Sequence, residues 1–414
     1  MKAKSSSLIN VAITANILEW YDFSISGFLA MTLGGLFFAK HDALTAVIKS
    51  FSVFAVSYLM RPLGSMAFGY LGNKRGASVA LQWSTLLMAF PTIFMGLLPT
   101  YQDIGYFATM LMLMFRLVQG FAAGGEFPLS AYFVASQAPG NNKGRLSSLV
   151  HVGGSFGVLL ASFVVFLVGS LFADSDIARW AWRIPFLLGI PLFFIVWKIR
   201  SGMIDTPPAE RQTSRQNKIT WSSGWSDFIR GSLLVASMEV GFYTLLVWFP
   251  NYVEIFLHYS RFDAHLSNTL ALIIYTATIL ASGFLSSYVA YKKILLACLV
   301  SIVVSAYPLF AVLLHTHTFS RLIGVQFIFA ILYGSIGGVI LFALYQLFKD
   351  KGQSLGLAVT FTVPTALFGG TAPLVCSYLV RQFHNLSLPA FYVAAFCVIA
   401  LPAAFSLTDS GRNF

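Results

Sequence analysis

GMIDTPPAERQTSRQNKITWSSGWS, residues 202–226, is the one long polar stretch in this chain, and its reading decides the fold. It holds Pro207-Pro208, the basic residues Arg211, Arg215 and Lys218, and Trp221 and Trp225. On either side lie apolar runs of ~20 residues, each long enough to cross a bilayer. Six precede it, at about 8–38, 46–72, 77–98, 102–136, 147–173 and 181–201. Six follow, at about 228–257, 265–290, 292–314, 319–348, 354–380 and 387–408. The stretch therefore reads as a cytoplasmic linker, its tryptophans at the headgroup level. It divides the chain into an N-terminal six-helix bundle (1–201) and a C-terminal one (227–414).

Composition agrees. A chain of 414 residues that is 57% hydrophobic and 10% charged is neither disordered nor an ordinary soluble domain. Its formal charge of +11 would suit nucleic acid or anionic lipid, but the basic residues follow the loops. With the N-terminus inside, 17 fall on the linker side and seven on the other. That excess puts both termini in the cytoplasm, and no nucleic-acid partner is expected. The first run is too long for a signal-peptide core and lacks a small-residue cleavage pattern. Cys298, Cys376 and Cys397 lie in apolar runs without metal-type spacing and read as packing residues.

An internal echo supports two halves. Gly69-Tyr70-Leu71-Gly72 leads into Lys74-Arg75, and Gly283-Phe284-Leu285-Ser286 leads into Lys292-Lys293. With a 6+6 layout this points to parallel repeats, as in many secondary transporters. Gly153/Gly157 and Gly334/Gly338 suit close helix packing. Pro62, Pro128, Pro250, Pro364 and Pro373 would bend helices.

The chemistry starts at Glu19-Trp20-Tyr21-Asp22-Phe23 in the first span. An acid in the bilayer costs about 2.5–3.5 kcal/mol even on a lenient scale, so two on one helix face point to an ion or substrate pathway. The fourth span carries Arg116, Gln119 and Glu126 near one face. Arg116 is the natural partner for Asp22, as a proton-coupling pair or a static salt bridge. A guanidinium favours the ionised acid and apolar burial the neutral one, so opening and closing a cavity changes both. Glu126 follows Gly124-Gly125 and suits packing or transport. Glu239, the only acid well inside the second half, suits a substrate or proton role. Glu254 is expected at the outer end of its span, solvated. Arg61-Pro62 is expected to shape the cytoplasmic gate. His151, near the start of the fifth span, reads as a packed or interfacial histidine, with pH sensing as the alternative. There is no metal site, Walker A sequence, GxGxxG or nucleophile elbow, so neither ATP-driven pumping nor an enzyme is expected.

The chain resembles the major facilitator superfamily, and within it the metabolite:proton symporter family of proline/betaine, citrate, 2-oxoglutarate and shikimate carriers. The resemblance rests on NILEWYDF (16–23), RPLGSMAFGYLG (61–72), RLVQGFAAGGE (116–126), AWRIPFLLGIP (181–191), Asp205-Thr206-Pro207 and FGGTAPL (368–374). It implies an all-α membrane fold of twelve helices in two six-helix pseudo-repeats, rocking about a central cavity. It also implies that Asp22 and Arg116 face each other, as a similarly placed pair does in sugar porters. The chain departs from the superfamily at Gly69-Tyr70-Leu71-Gly72-Asn73-Lys74-Arg75-Gly76-Ala77-Ser78, where Asn73 replaces the usual Asp and Ala77 and Ser78 replace basic residues. Tyr345-Gln346-Leu347-Phe348-Lys349 replaces an acidic element in the tenth helix, and Ser26 stands where the family often has Tyr. A gate short of acids implies a weaker lock on the outward-open state.

The sequence thus supports proton-coupled uptake of a small polar metabolite, an organic acid or a zwitterion, by a monomeric inner-membrane carrier. The proton gradient drives it and no cofactor is needed. Asp22 would carry the proton, assisted by Glu19, Arg116 and Glu126. Arg116, Gln119, Tyr21, Glu239, Tyr243 and Trp248 would line the substrate cavity. Arg61, Gly69, Gly72, Asn73, Lys74, Arg75 and Gly76 would form the cytoplasmic gate. The alternatives are a proton-antiport exporter and a non-transporting sensor on a carrier scaffold.

Overall fold

The computed structural model describes residues 16–39, 43–75, 77–124, 127, 143–201, 221–315, 318–348 and 354–407. Twelve membrane-crossing helical segments follow in chain order. The first half has α1 (residues 16–37), α2 (Ala43–Leu59 continued by Arg61–Arg75), α3 (Ala77–Leu97), α4 (Tyr106–Ala122), α5 (Lys143–Leu171) and α6 (Ile184–Leu187 continued by Gly189–Ser201). The second half has α7 (Trp221–Phe242 through to Phe249–Ile255), α8 (Arg261–Leu285), α9 (Tyr291–His315), α10 (Phe319–Phe348), α11 (Ser354–Pro364 through to Ala372–Phe383) and α12 (Leu388–Phe405). Helix is the natural answer to lipid, because it satisfies every backbone polar group within its own segment. Ser201 and Trp221 mark one face of the bundle, called the linker face below; the other is the far face.

Prolines shape the helices where they were expected to. Each of two wide π turns, Tyr243–Trp248 in α7 and Thr365–Gly369 in α11, is followed within a few residues by a proline, Pro250 and Pro373. Proline has no N–H and crowds the carbonyl four residues back, and a wider turn relieves both. The α2 helix breaks at Met60, before Arg61-Pro62. Pro128 lies outside the described residues.

Small residues set how closely helices approach. A methyl group on Gly120 of α4 would overlap the Ser57 carbonyl of α2, and one on Gly64 of α2 would overlap the Phe121 carbonyl of α4. Gly334 and Gly338 do the same for α10 against α8, where a Cβ would sit 2.8 Å from the Tyr275 carbonyl and 2.6 Å from that of Ile279. Such backbone approach is how helices associate where lipid removes the hydrophobic drive.

The two sets of six helices meet along α5 with α8 and α10, and along α2 with α11. They touch at both membrane faces. At the linker face Ser148 packs against Gly283, and Lys143 Nζ donates to the Tyr345 hydroxyl at 3.3 Å. At the far face Arg261 pairs with Asp174 at 2.7 Å, and Asn251 Nδ2 donates to the Gly27 carbonyl at 3.1 Å. The interior between them is occluded.

Candidate functional site

Five charged side chains are buried among the described residues: Glu19, Asp22, Arg61, Arg116 and Glu239. They fall into two groups.

The first group lies within the first half. Thr92 of α3 donates its hydroxyl to Asp22 Oδ2 at 2.9 Å, and Gln119 Nε2 of α4 donates to the same hydroxyl oxygen at 2.6 Å. The Met88 carbonyl, one turn back on α3, lies 3.0 Å from it. Thr92 has one hydrogen and two acceptors in reach. With Asp22 ionised, the hydrogen goes to the carboxylate. With Asp22 protonated, the acid donates to Thr92, and the threonine hydrogen turns to Met88. One hydroxyl rotation serves both states.

Arg116 corrects an expectation. It is 1% exposed and feels the Asp22 charge, but the two form no direct ion pair, and Arg116 Nη1 and Nη2 have no hydrogen-bond partner. The guanidinium instead faces a small cavity with Ser26, Ser50 and Phe54. Thr92, a lone hydroxyl in an apolar run, occupies the place beside Asp22 assigned to Arg116.

The second group straddles the halves. Arg61 Nη2 lies 3.6 Å from Glu19 Oε1, and its guanidinium packs over the rings of Tyr58 at 4.2 Å and Phe23 at 4.3 Å. The Tyr58 hydroxyl meets that of Tyr243, from α7, at 2.6 Å. Glu239, one turn before Tyr243, interacts electrostatically with Arg61. Arg61 is thus buried in the centre, not at the cytoplasmic gate. The break at Met60 and the glycine contacts of α2 with α4 carry it inward.

Glu239 also lines a small cavity with Trp20, His151, Phe242 and Tyr275, contributed by both halves. His151 Nδ1 bonds the Gly337 carbonyl at 2.8 Å, and its Nε2 faces the Tyr275 hydroxyl at 3.3 Å. A carbonyl can only accept, so Nδ1 carries the hydrogen and Tyr275 donates to Nε2. His151 therefore ties α5 to α8 and α10 across the seam. The sequence alone does not mark Trp20, His151, Phe242 and Tyr275 as site residues. The available signal was Trp20 next to Glu19, and a histidine in a helix rich in small residues.

Other expected residues lie elsewhere. Tyr21 donates to the Pro185 carbonyl at 2.7 Å, turned into the first half. Trp248 Nε1 donates to Ser377 Oγ at 2.8 Å, turned into the second. Gln119 is committed to Thr92. Tyr243 does reach the seam. Glu254 is not a free solvated acid; it accepts from Arg261 Nε at 3.3 Å. Of the gate residues, Gly69, Gly72, Asn73 and Lys74 lie in helical backbone and Arg75 is exposed. Gly76 and Glu126 lie outside the described residues.

The profile of the Major Facilitator Superfamily matches residues 9–370. A proline/betaine transporter of Escherichia coli K12 is 28% identical over 99% of this chain and 85% of its own. A glycine betaine/proline/ectoine/pipecolic acid transporter of Dickeya dadantii is 30% identical over 98% of this chain and 83% of its own. Among solved structures, a D-xylose–proton symporter superposes with a TM-score of 0.79, covering 99% of both chains at 17% identity. That likeness speaks to the fold alone.

Proposed function

The chain belongs to the major facilitator superfamily, and on that premise we propose that it is a proton-coupled carrier that takes up a small polar metabolite, an organic acid or a zwitterion, by alternating access. The superfamily and the relatives are multi-pass membrane transporters, not enzymes. In this reading the halves 1–201 and 227–414 rock about the buried centre, joined by the 202–226 linker. The chain sits as a monomer in the inner membrane, both termini in the cytoplasm. The proton gradient drives it, without a cofactor.

The observation that carries the reading is the hydroxyl relay at Asp22. A buried carboxylate, whose hydrogen-bond partner serves its charged and neutral forms equally, is suited to gain and lose a proton without repacking. Arg116, nearby and unpaired, supplies a field that favours release. Glu19 and Arg61 hold each other and keep a second acid from competing for that proton. The names of the relatives support a zwitterion, since proline and betaine each carry one positive and one negative charge.

The test is uptake into proteoliposomes under an imposed proton gradient, with wild type beside Asp22→Asn. Gradient-driven accumulation should be lost in Asp22→Asn while exchange of substrate for substrate persists. An Asp22→Asn protein that still accumulates substrate against its gradient would move the proton elsewhere.

A further inference from the structure

The small cavity between the halves has a chemistry of its own, which the proton reading does not use. We propose that Glu239, walled by Trp20, Phe242 and Tyr275, is a subsite for the ammonium group of the substrate. The proposal rests on the transport reading above and narrows it to ammonium-bearing compounds.

Three observations point this way. First, Glu239 is 1% exposed, lines the cavity, and its Oε2 has no hydrogen-bond partner. Several neighbouring donors are already engaged: Tyr275 donates to His151, His151 Nδ1 to Gly337, and one of the Tyr58 and Tyr243 hydroxyls to the other. Second, among the described residues the seam group has two acids, Glu19 and Glu239, to one cation, Arg61, which lies against Glu19. With both acids ionised it lacks one positive charge, and a buried unmatched charge is costly. Third, the walls are rings. Phe242 lies 5.9 Å from Trp20 and 5.5 Å from Tyr275, centroid to centroid.

Those walls select among cations. A metal ion wants several oxygen or nitrogen ligands, and one carboxylate among rings cannot supply them. A large, weakly hydrated organic cation is what aromatic faces attract. A multiply charged acid is repelled by Glu239. The Trp20 indole N–H, buried and without a partner, offers a donor for the substrate's negative end. Trp20 comes from the first half and Glu239, Phe242 and Tyr275 from the second, so opening either face pulls the subsite apart and releases what it holds.

The test uses two ligands of one shape. Glycine betaine and 3,3-dimethylbutanoate share the carboxylate and the three methyl groups; the second has carbon in place of the charged nitrogen. Binding of each to the purified full-length protein is measured by calorimetry, and proton-driven uptake of betaine and of shikimate, an acid without nitrogen, is measured in liposomes. Betaine should bind roughly thirtyfold more tightly than its carbon analogue, given a desolvated cation–π and charge contribution, and Glu239→Gln should collapse that ratio. Equal binding of the pair, binding of neither, or a ratio unchanged in a folded Glu239→Gln protein overturns the proposal. The wild-type ratio decides the matter should the variant not fold. Proton-driven shikimate uptake without betaine binding overturns the subsite and leaves the carrier reading standing. A betaine preference without any gradient-driven uptake supports the subsite and removes the proton-coupled reading instead.

Discussion

Replacing His151 with phenylalanine should loosen the seam between α5 and α8 on the linker side. The ring volume stays, and two bonds across the seam go: His151 Nδ1 to the Gly337 carbonyl at 2.8 Å and the Tyr275 hydroxyl to Nε2 at 3.3 Å. Their losses are unequal. As a residue within α10, Gly337 keeps a second partner for its carbonyl in the helix ladder, so that bond is worth about 1 kcal/mol or less. The Tyr275 hydroxyl is fully buried, and stranding it costs about 1–3 kcal/mol. Once the seam opens, water can serve both groups, so the cost falls on the closed form alone. A total of about 2 kcal/mol lowers the closed-to-open ratio roughly thirtyfold. Spin labels at Arg75 and Ser287, both exposed at the linker face on opposite halves, report that ratio as a distance distribution. The three native cysteines are buried and leave labelling to the introduced pair. His151→Phe should add a population at longer distance. His151→Phe with Tyr275→Phe should add less than His151→Phe alone, because no hydroxyl is then stranded. A His151→Phe distribution matching wild type, or a double variant more open than the single one, would refute the argument.

Two further outcomes follow from the helix contacts. Asp174→Asn should weaken the far-face latch only slightly. Its carboxylate is 85% exposed, so the pair with Arg261 is worth about 0.2–1 kcal/mol, a factor of roughly 1.4–5 in far-side opening measured by thiol accessibility, and high salt should mimic it. An effect of Asp174→Asn that high salt does not reproduce would mean that the residue acts through something other than charge. Gly120→Ala should lower the melting temperature, at a stability cost of at least the usual overpacking value of about 1–3 kcal/mol, since its methyl group meets the Ser57 backbone and not a side chain that can turn away. An unchanged melting temperature would mean that α2 and α4 separate freely.

Hydropathy made the twelve helices legible, because lipid imposes length and apolarity on each segment separately. Prolines made the bends legible, though not their form as wide turns in α7 and α11. Asp22, Glu19, Arg116 and Glu239 stood out because a charge in an apolar run is conspicuous whatever it touches. Their partners were not legible. Thr92 is a weakly polar residue that becomes the Asp22 partner only once α3 lies beside α1. Arg61 looked like a gate residue because Pro62 and the glycines after it belong to a gate motif, and only the packing of α2 on α4 carries it inward. Tyr21 and Trp248 sit near conspicuous acids in sequence, yet helical rotation turns them into their own halves. The reverse holds for His151, whose partners lie more than 120 residues away on α8 and α10.

The distribution of buried charge has an electrical consequence. Among the described residues the first half buries two acids and two arginines, and the second buries Glu239 and no cation. A membrane potential acts on net charge, at about 2.3 kcal/mol per elementary charge for each 100 mV crossed. With Asp22 ionised, movement of the first half against the field is therefore close to neutral, and a proton on Asp22 gives it one positive charge. An ionised Glu239 gives the second half one negative charge, and voltage can bias the return of the empty protein through that residue. A cation or a proton seated on Glu239 cancels the lever, so the loaded and empty protein should respond to voltage differently.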